Sequence, residues 1–112
     1  MEGYHLIADI VKISNVKPIK TVEGVKPLME KIIEEMKLTV LGSLSHQFEP
    51  YGATLLYLLG ESHLSIHTYV EERYCAIDLY CCNPNINMND VLNIIYEYFK
   101  GDCIIKKNII KR

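Results

Sequence analysis

Residues 60–69, Gly-Glu-Ser-His-Leu-Ser-Ile-His-Thr-Tyr, carry the densest chemistry in the chain. An apolar run gives way there to a polar-rich stretch with two serines, two histidines and a glutamate. Ser62 beside His63 and near His67 offers a hydroxyl together with a base to activate it, the elementary unit of nucleophilic catalysis. The same residues would equally make a polar strand edge with two surface histidines, and no Gly-x-Ser-x-Gly elbow surrounds the serine. Chemistry alone leaves both readings open.

Metal and disulfide chemistry find less support. Cys75, Cys81, Cys82 and Cys103 contain no C-x-x-C pair, the usual spacing of a structural zinc site. His63 and His67 are four apart, but Leu64 stands where the zinc-protease helix requires a glutamate. Residues 64–68 have strand character, and four strand residues span about 13 Å, too far for one ion. No metal site is expected. The N-terminus lacks a basic region ahead of a long apolar stretch, so a reducing cytoplasmic setting without disulfides is expected.

The frame around these residues is a single domain, 1–112. The chain has 112 residues, 49% hydrophobic and 23% charged, values of an ordinary globular protein. No apolar run approaches the roughly 18 residues that span a bilayer. Up to Glu61 there are six lysines and eight acids, net −2, and from Ser62 six basic and six acidic residues, net zero. Neither half is a nucleic-acid footprint, and the basic tail Lys106, Lys107, Lys111 and Arg112 suits a charged edge strand. Neither nucleic acid nor membrane is expected as a partner.

Periodicity supplies the elements. Residues 4–11, 39–48, 53–59, 64–68, 74–81 and 103–110 are rich in strand formers. Residues 13–26 read as a connection, and Pro27 as the first turn of a helix of about eleven residues with Leu28, Met29, Ile32, Ile33 and Met36 on its inner face. Asn87 or Asn89 caps a second helix with Val91, Leu92, Ile94, Ile95, Tyr98 and Phe99 inside, ended by Gly101. The order β-α-β-β then β-β-α-β is a weak pseudo-repeat. It predicts an α+β two-layer sandwich, a mainly antiparallel sheet with both helices on one face. The other sheet face needs cover, which a sheet-to-sheet homodimer supplies.

The octet Glu61-Ser62-His63-Leu64-Ser65-Ile66-His67-Thr68 resembles the self-cleavage motif of the short prokaryotic pyruvoyl-dependent S-adenosylmethionine decarboxylase proenzymes. The segment His46-Gln47-Phe48-Glu49-Pro50 and Gly52-Ala53-Thr54 is similar to the family's approach to the cleavage strand. Asp78-Leu79-Tyr80-Cys81-Cys82 resembles its strand ending in a catalytic cysteine, twenty residues past the serine. The resemblance covers nearly the whole chain.

The resemblance implies an enzyme, a carboxy-lyase whose pyruvoyl group is made from Ser62 by cleavage between Glu61 and Ser62. The products are fragments 1–61 and 62–112, held by a shared sheet. The pyruvoyl carbonyl forms a Schiff base with the substrate amine and gives decarboxylated S-adenosylmethionine for spermidine synthesis, with CO2 released. His67 matches the processing base, Thr54 a hydroxyl that supports processing, and Cys82 the proton donor to the α-carbon. Adjacent strand residues face opposite ways, so Cys81 cannot share that site. Phe48 and Tyr69 resemble aromatic contacts to adenine and the sulfonium, although either could be ordinary packing. Glu71 resembles the carboxylate that binds the ribose hydroxyls.

In the family the site lies at the dimer interface, so a homodimer of processed fragment pairs is implied. Two departures fall in the loops that shape the pocket: Val70 stands where the family has proline, and Asn83-Pro84 follows the cysteine where glycine is usual. Relatives that decarboxylate arginine or ornithine keep the same chemistry, and an unprocessed regulatory relative is the non-enzymatic alternative. Ser62, His67 and Cys82 are all retained, which weighs against the latter.

Overall fold

The computed structural model describes residues 2–112. In chain order the elements are β1 (Tyr4–Val11), α1 (Val22–Glu35), β2 (Val40–Gln47), β3 (Ala53–Leu59), β4 (Ser62–Tyr69), β5 (Tyr74–Cys81), α2 (Met88–Tyr98) and β6 (Ile104–Lys111). They build one antiparallel sheet in the order β2-β3-β4-β5-β1-β6. Strand periodicity decides which side chains are buried. Leu6, Ala8 and Ile10 of β1, Leu64 and Ile66 of β4, and Cys75, Ile77, Leu79 and Cys81 of β5 face the helices and are buried. Val25, Leu28, Met29 and Ile32 of α1 and Val91, Leu92, Ile94 and Ile95 of α2 cover them. This is the expected two-layer α+β sandwich. No helix among the described residues is long and apolar enough to cross a membrane.

The first helix begins five residues earlier than Pro27 suggests. Thr21 caps it, its hydroxyl accepting from the Gly24 N–H at 2.9 Å, and Pro27 lies inside the helix. Val22, Gly24 and Val25 have weak helix propensity, so that first turn depends on the cap and on packing. Val25 is fully buried, and the Tyr98 hydroxyl donates to the Gly24 carbonyl. The second helix is capped by Asn87, which accepts from the Asn89 N–H at 2.9 Å.

The sheet order bears on cleavage. Strand β1 lies between β5 and β6, so residues 1–61 are threaded into the strands of residues 62–112. A cut between Glu61 and Ser62 leaves the β3–β4, β1–β5 and β1–β6 pairings in place. The helix-free face carries exposed Leu44, Leu56, Leu58 and Ile110 alongside a His5–Asp78 pair at 3.0 Å.

Candidate active site

Strands β3 and β4 form a hairpin in which Leu59 pairs with Ser62, leaving Gly60 and Glu61 as a two-residue turn. The backbone is distorted at one point of that hairpin: Ser62 has φ +144°. A non-glycine residue in that region costs on the order of 1–3 kcal/mol and persists only where the surroundings hold it. They do so here. The carbonyl of Glu61 accepts from the Cys82 N–H at 2.9 Å, and the Gly60 N–H donates to the Thr39 carbonyl at 2.8 Å. The Glu61 carboxylate accepts from the Thr39 N–H at 2.9 Å and from its hydroxyl at 3.2 Å. The Thr39 N–H holds the Glu61 carboxyl below the usual carboxylate range.

The two adjacent cysteines separate as strand alternation requires. Cys81 is buried on the helix face and burial raises its thiol pKa, whereas Cys82 is partly exposed. Cys75 is likewise a core thiol, pushed up by burial to about 12. Gly3 is packed against this point. A Cβ there would lie 2.7 Å from the Cys81 carbonyl oxygen and 2.9 Å from the Cys82 Cα, both backbone atoms that cannot swing away. Gly3→Ala is therefore expected to lower stability by about 1–3 kcal/mol. It should also slow any step that uses the Cys82 N–H, as thermal melting and a cleavage time course would measure.

A second group of residues lies at the opposite end of β4. Thr54 and His67 are paired across β3 and β4, and the Thr54 hydroxyl meets the His67 Nδ1 at 3.0 Å. Ser62 and His67 are five residues apart on one strand, about 16 Å at the usual rise. Within one chain His67 and Ser62 are therefore not brought together; Ser62 instead pairs across the strands with Cys81, while the Cys82 N–H holds the preceding Glu61 carbonyl. Beside the Thr54–His67 pair is a cavity of about 360 Å3 lined by Phe48, Tyr51, Gly52, Thr68, Tyr69 and Glu71. It gathers the three residues expected to contact substrate. Phe48 is 47% exposed and Tyr69 46%, so neither is spent on the core of this chain.

Two supports of this end were not among the expected site residues. The Tyr51 hydroxyl donates to Glu71 Oε1 at 3.0 Å, which orients the carboxylate. The Gln47 amide bonds the carbonyls of Lys20, Phe48 and Gly52 at 3.0 to 3.1 Å and fixes the turn that carries Phe48. Tyr51 lies in an evident turn but nothing local in the sequence pairs it with Glu71, and Gln47 is an ordinary polar strand residue until its turn is folded. Among the described residues no group of His, Cys, Asp or Glu is arranged to hold a metal.

Comparison with known proteins places this arrangement. A model of the S-adenosylmethionine decarboxylase family matches residues 4–112. An S-adenosylmethionine decarboxylase proenzyme of Sulfurihydrogenibium sp. is 48% identical over 105 residues, 94% of this chain and 78% of the relative. One from Persephonella marina is 46% identical over the same shares. The crystal structure of the adenosylmethionine decarboxylase from Aquifex aeolicus superposes with a TM-score of 0.87 at 31% identity, covering 98% of this chain and 89% of that one. A family match that takes in every strand and both helices, with proenzyme relatives at nearly half identity, leaves one assignment: the chain belongs to the S-adenosylmethionine decarboxylase family.

Proposed function

We propose that the chain is a proenzyme that cleaves itself between Glu61 and Ser62 and then decarboxylates S-adenosylmethionine. The observation that carries this is the Glu61–Ser62 link itself: a strained Ser62 follows a carbonyl already held by a backbone N–H. The Ser62 hydroxyl oxygen attacks the Glu61 carbonyl carbon, and the negative charge that develops on the Glu61 oxygen is met by the Cys82 N–H. The carbon–nitrogen bond breaks as the amine takes a proton, and an ester replaces the amide. Removal of the Ser62 α-proton then expels Glu61 as a carboxylate. The dehydroalanine left behind tautomerises and takes up water, releasing ammonia and leaving a pyruvoyl group at the head of residues 62–112.

A pyruvoyl carbonyl supplies an electron sink for the pair left on the α-carbon as CO2 departs, which no ordinary side chain provides. The other roles belong to side chains of the chain. His67, oriented by Thr54, is the processing base, and the Cys82 thiol returns a proton to the substrate α-carbon. Phe48 and Tyr69, both half-exposed at the cavity and the latter stacked on Tyr74 through one ring face, are offered to adenine and the sulfonium, and Glu71, aimed by Tyr51, accepts from the ribose hydroxyls.

The separation of the two ends of β4 supports a homodimer in which these groups serve a second copy. The helix-free face, with its exposed Leu44, Leu56, Leu58 and Ile110, is the surface through which the two would meet. The exposed aromatic faces favour S-adenosylmethionine over arginine or ornithine.

Denaturing intact mass of the purified protein tests the first step. The expected result is two fragments divided between Glu61 and Ser62, the second without a free amine. CO2 release from S-adenosylmethionine, arginine and ornithine tests the second, with release from the first alone expected. A single full-length mass that persists on incubation would remove the proposal.

A further inference from the structure

We propose that Thr39 is a positioning residue for self-cleavage, clamping the acyl half of the scissile bond through the Glu61 carboxylate. The inference rests on the reading of Glu61–Ser62 as that bond. Attack by a serine hydroxyl on the carbonyl preceding it closes a five-membered ring of the carbonyl carbon with N, Cα, Cβ and Oγ of the serine. Such a ring closes only if the carbonyl presents its face to Oγ, so the rate depends on the torsions on both sides of the peptide. A two-residue hairpin turn is free at its outer edge, where nothing in the sheet fixes the plane of that peptide.

Here the acyl side is fixed from three directions. The Gly60 N–H is bonded to the Thr39 carbonyl, both oxygens of the Glu61 carboxylate accept from Thr39, and the Glu61 carbonyl accepts from the Cys82 N–H. The β-carbon that Gly60 lacks would lie 3.5 Å from the Thr39 Cβ, so the turn also packs directly on this residue. With Glu61 held on both sides, rotation is concentrated at Ser62, the one residue of the hairpin with an unfavourable φ, +144°. A looser Glu61 would let Ser62 relax toward ordinary strand geometry and turn the carbonyl face away. Thr39 precedes β2 and is separated from Glu61 by 22 residues, so the clamp exists only once β2 and β3 are paired. Cleavage is thereby tied to completion of the fold.

The test is a cleavage time course by intact mass on protein made in a cell-free system, for the wild type, Thr39→Val, Thr39→Ser, Glu61→Gln and Glu61→Ala, each with its melting temperature. Thr39→Val keeps the shape and the N–H and removes the hydroxyl. It is expected to slow cleavage about five- to tenfold, and Thr39→Ser to restore it to within about twofold, at matched melting temperatures. Glu61→Ala, which releases both contacts, should be slower still, with Glu61→Gln between. Equal rates for wild type, Thr39→Val and Glu61→Ala would overturn the clamp while leaving the cleavage site standing. So would a Thr39→Ser protein as slow as Thr39→Val. A wild type that does not divide at Glu61–Ser62 would overturn both.

Discussion

Ser62→Ala is expected to remain one chain of about 12.9 kDa on a denaturing mass spectrum and to release CO2 from S-adenosylmethionine at a rate lower by on the order of 10³-fold or more. On the proposed mechanism the reason is atomic: without the hydroxyl no nucleophile would lie beside the Glu61 carbonyl, and without cleavage no carbonyl would be left to take the substrate's electrons. The fold should survive, because the β4 pairings with β3 and β5 do not involve the Ser62 side chain. Ser62→Gly separates strain from chemistry. It lacks the nucleophile as well and stays uncleaved, yet glycine accepts φ +144° without penalty, so it should be more stable than Ser62→Ala by about 1 kcal/mol. A Ser62→Ala protein that still divides would move the cleavage site elsewhere. One that stays whole but turns over at the wild-type rate would remove the pyruvoyl group from the mechanism.

The strands were legible because their signals are local. Tyr4–Val11, Ala53–Leu59 and Tyr74–Cys81 are bounded by turn residues and form strands over those bounds. The start of α1 was hidden because Val22, Gly24 and Val25 are poor helix formers, and what rescues them is a cap at Thr21 and burial against α2. The site divides in the same way. Glu61, Ser62 and His67 stand out in one octet, and alternation alone separates Cys81 from Cys82. Thr39 and Tyr51 carry no local signal. Each reaches its carboxylate across 22 or 20 residues of chain through strand register, which periodicity does not specify between non-adjacent segments. Strand geometry also corrects an impression that sequence proximity gives: His67 looks close to Ser62, but an extended strand carries the two apart.

That separation makes the sharpest prediction about assembly. In one chain Ser62 and Cys82 occupy one end of β4, and Thr54, His67 and the Phe48–Glu71 cavity the other. A two-fold dimer joined through the helix-free faces could set each end against the opposite end of its partner, so that every site draws on both chains. Ser62→Ala and His67→Ala should each fail to cleave alone. Co-expressed in equal amounts they should form mixed dimers if the proposed assembly holds, and in each of these one site would pair an intact Ser62 with an intact His67. About half of the His67→Ala chains should then divide under random pairing, and none of the Ser62→Ala chains, because only the former keep the nucleophile. Tagging the two chains differently lets intact mass read them apart. If the base acted within its own chain, co-expression would rescue neither, since every Ser62 in the mixture would share its chain with a missing His67. A charge placed on the helix-free face at exposed Leu56 should suppress the rescue by blocking mixed dimers, whereas a site contained in one chain would be indifferent to it.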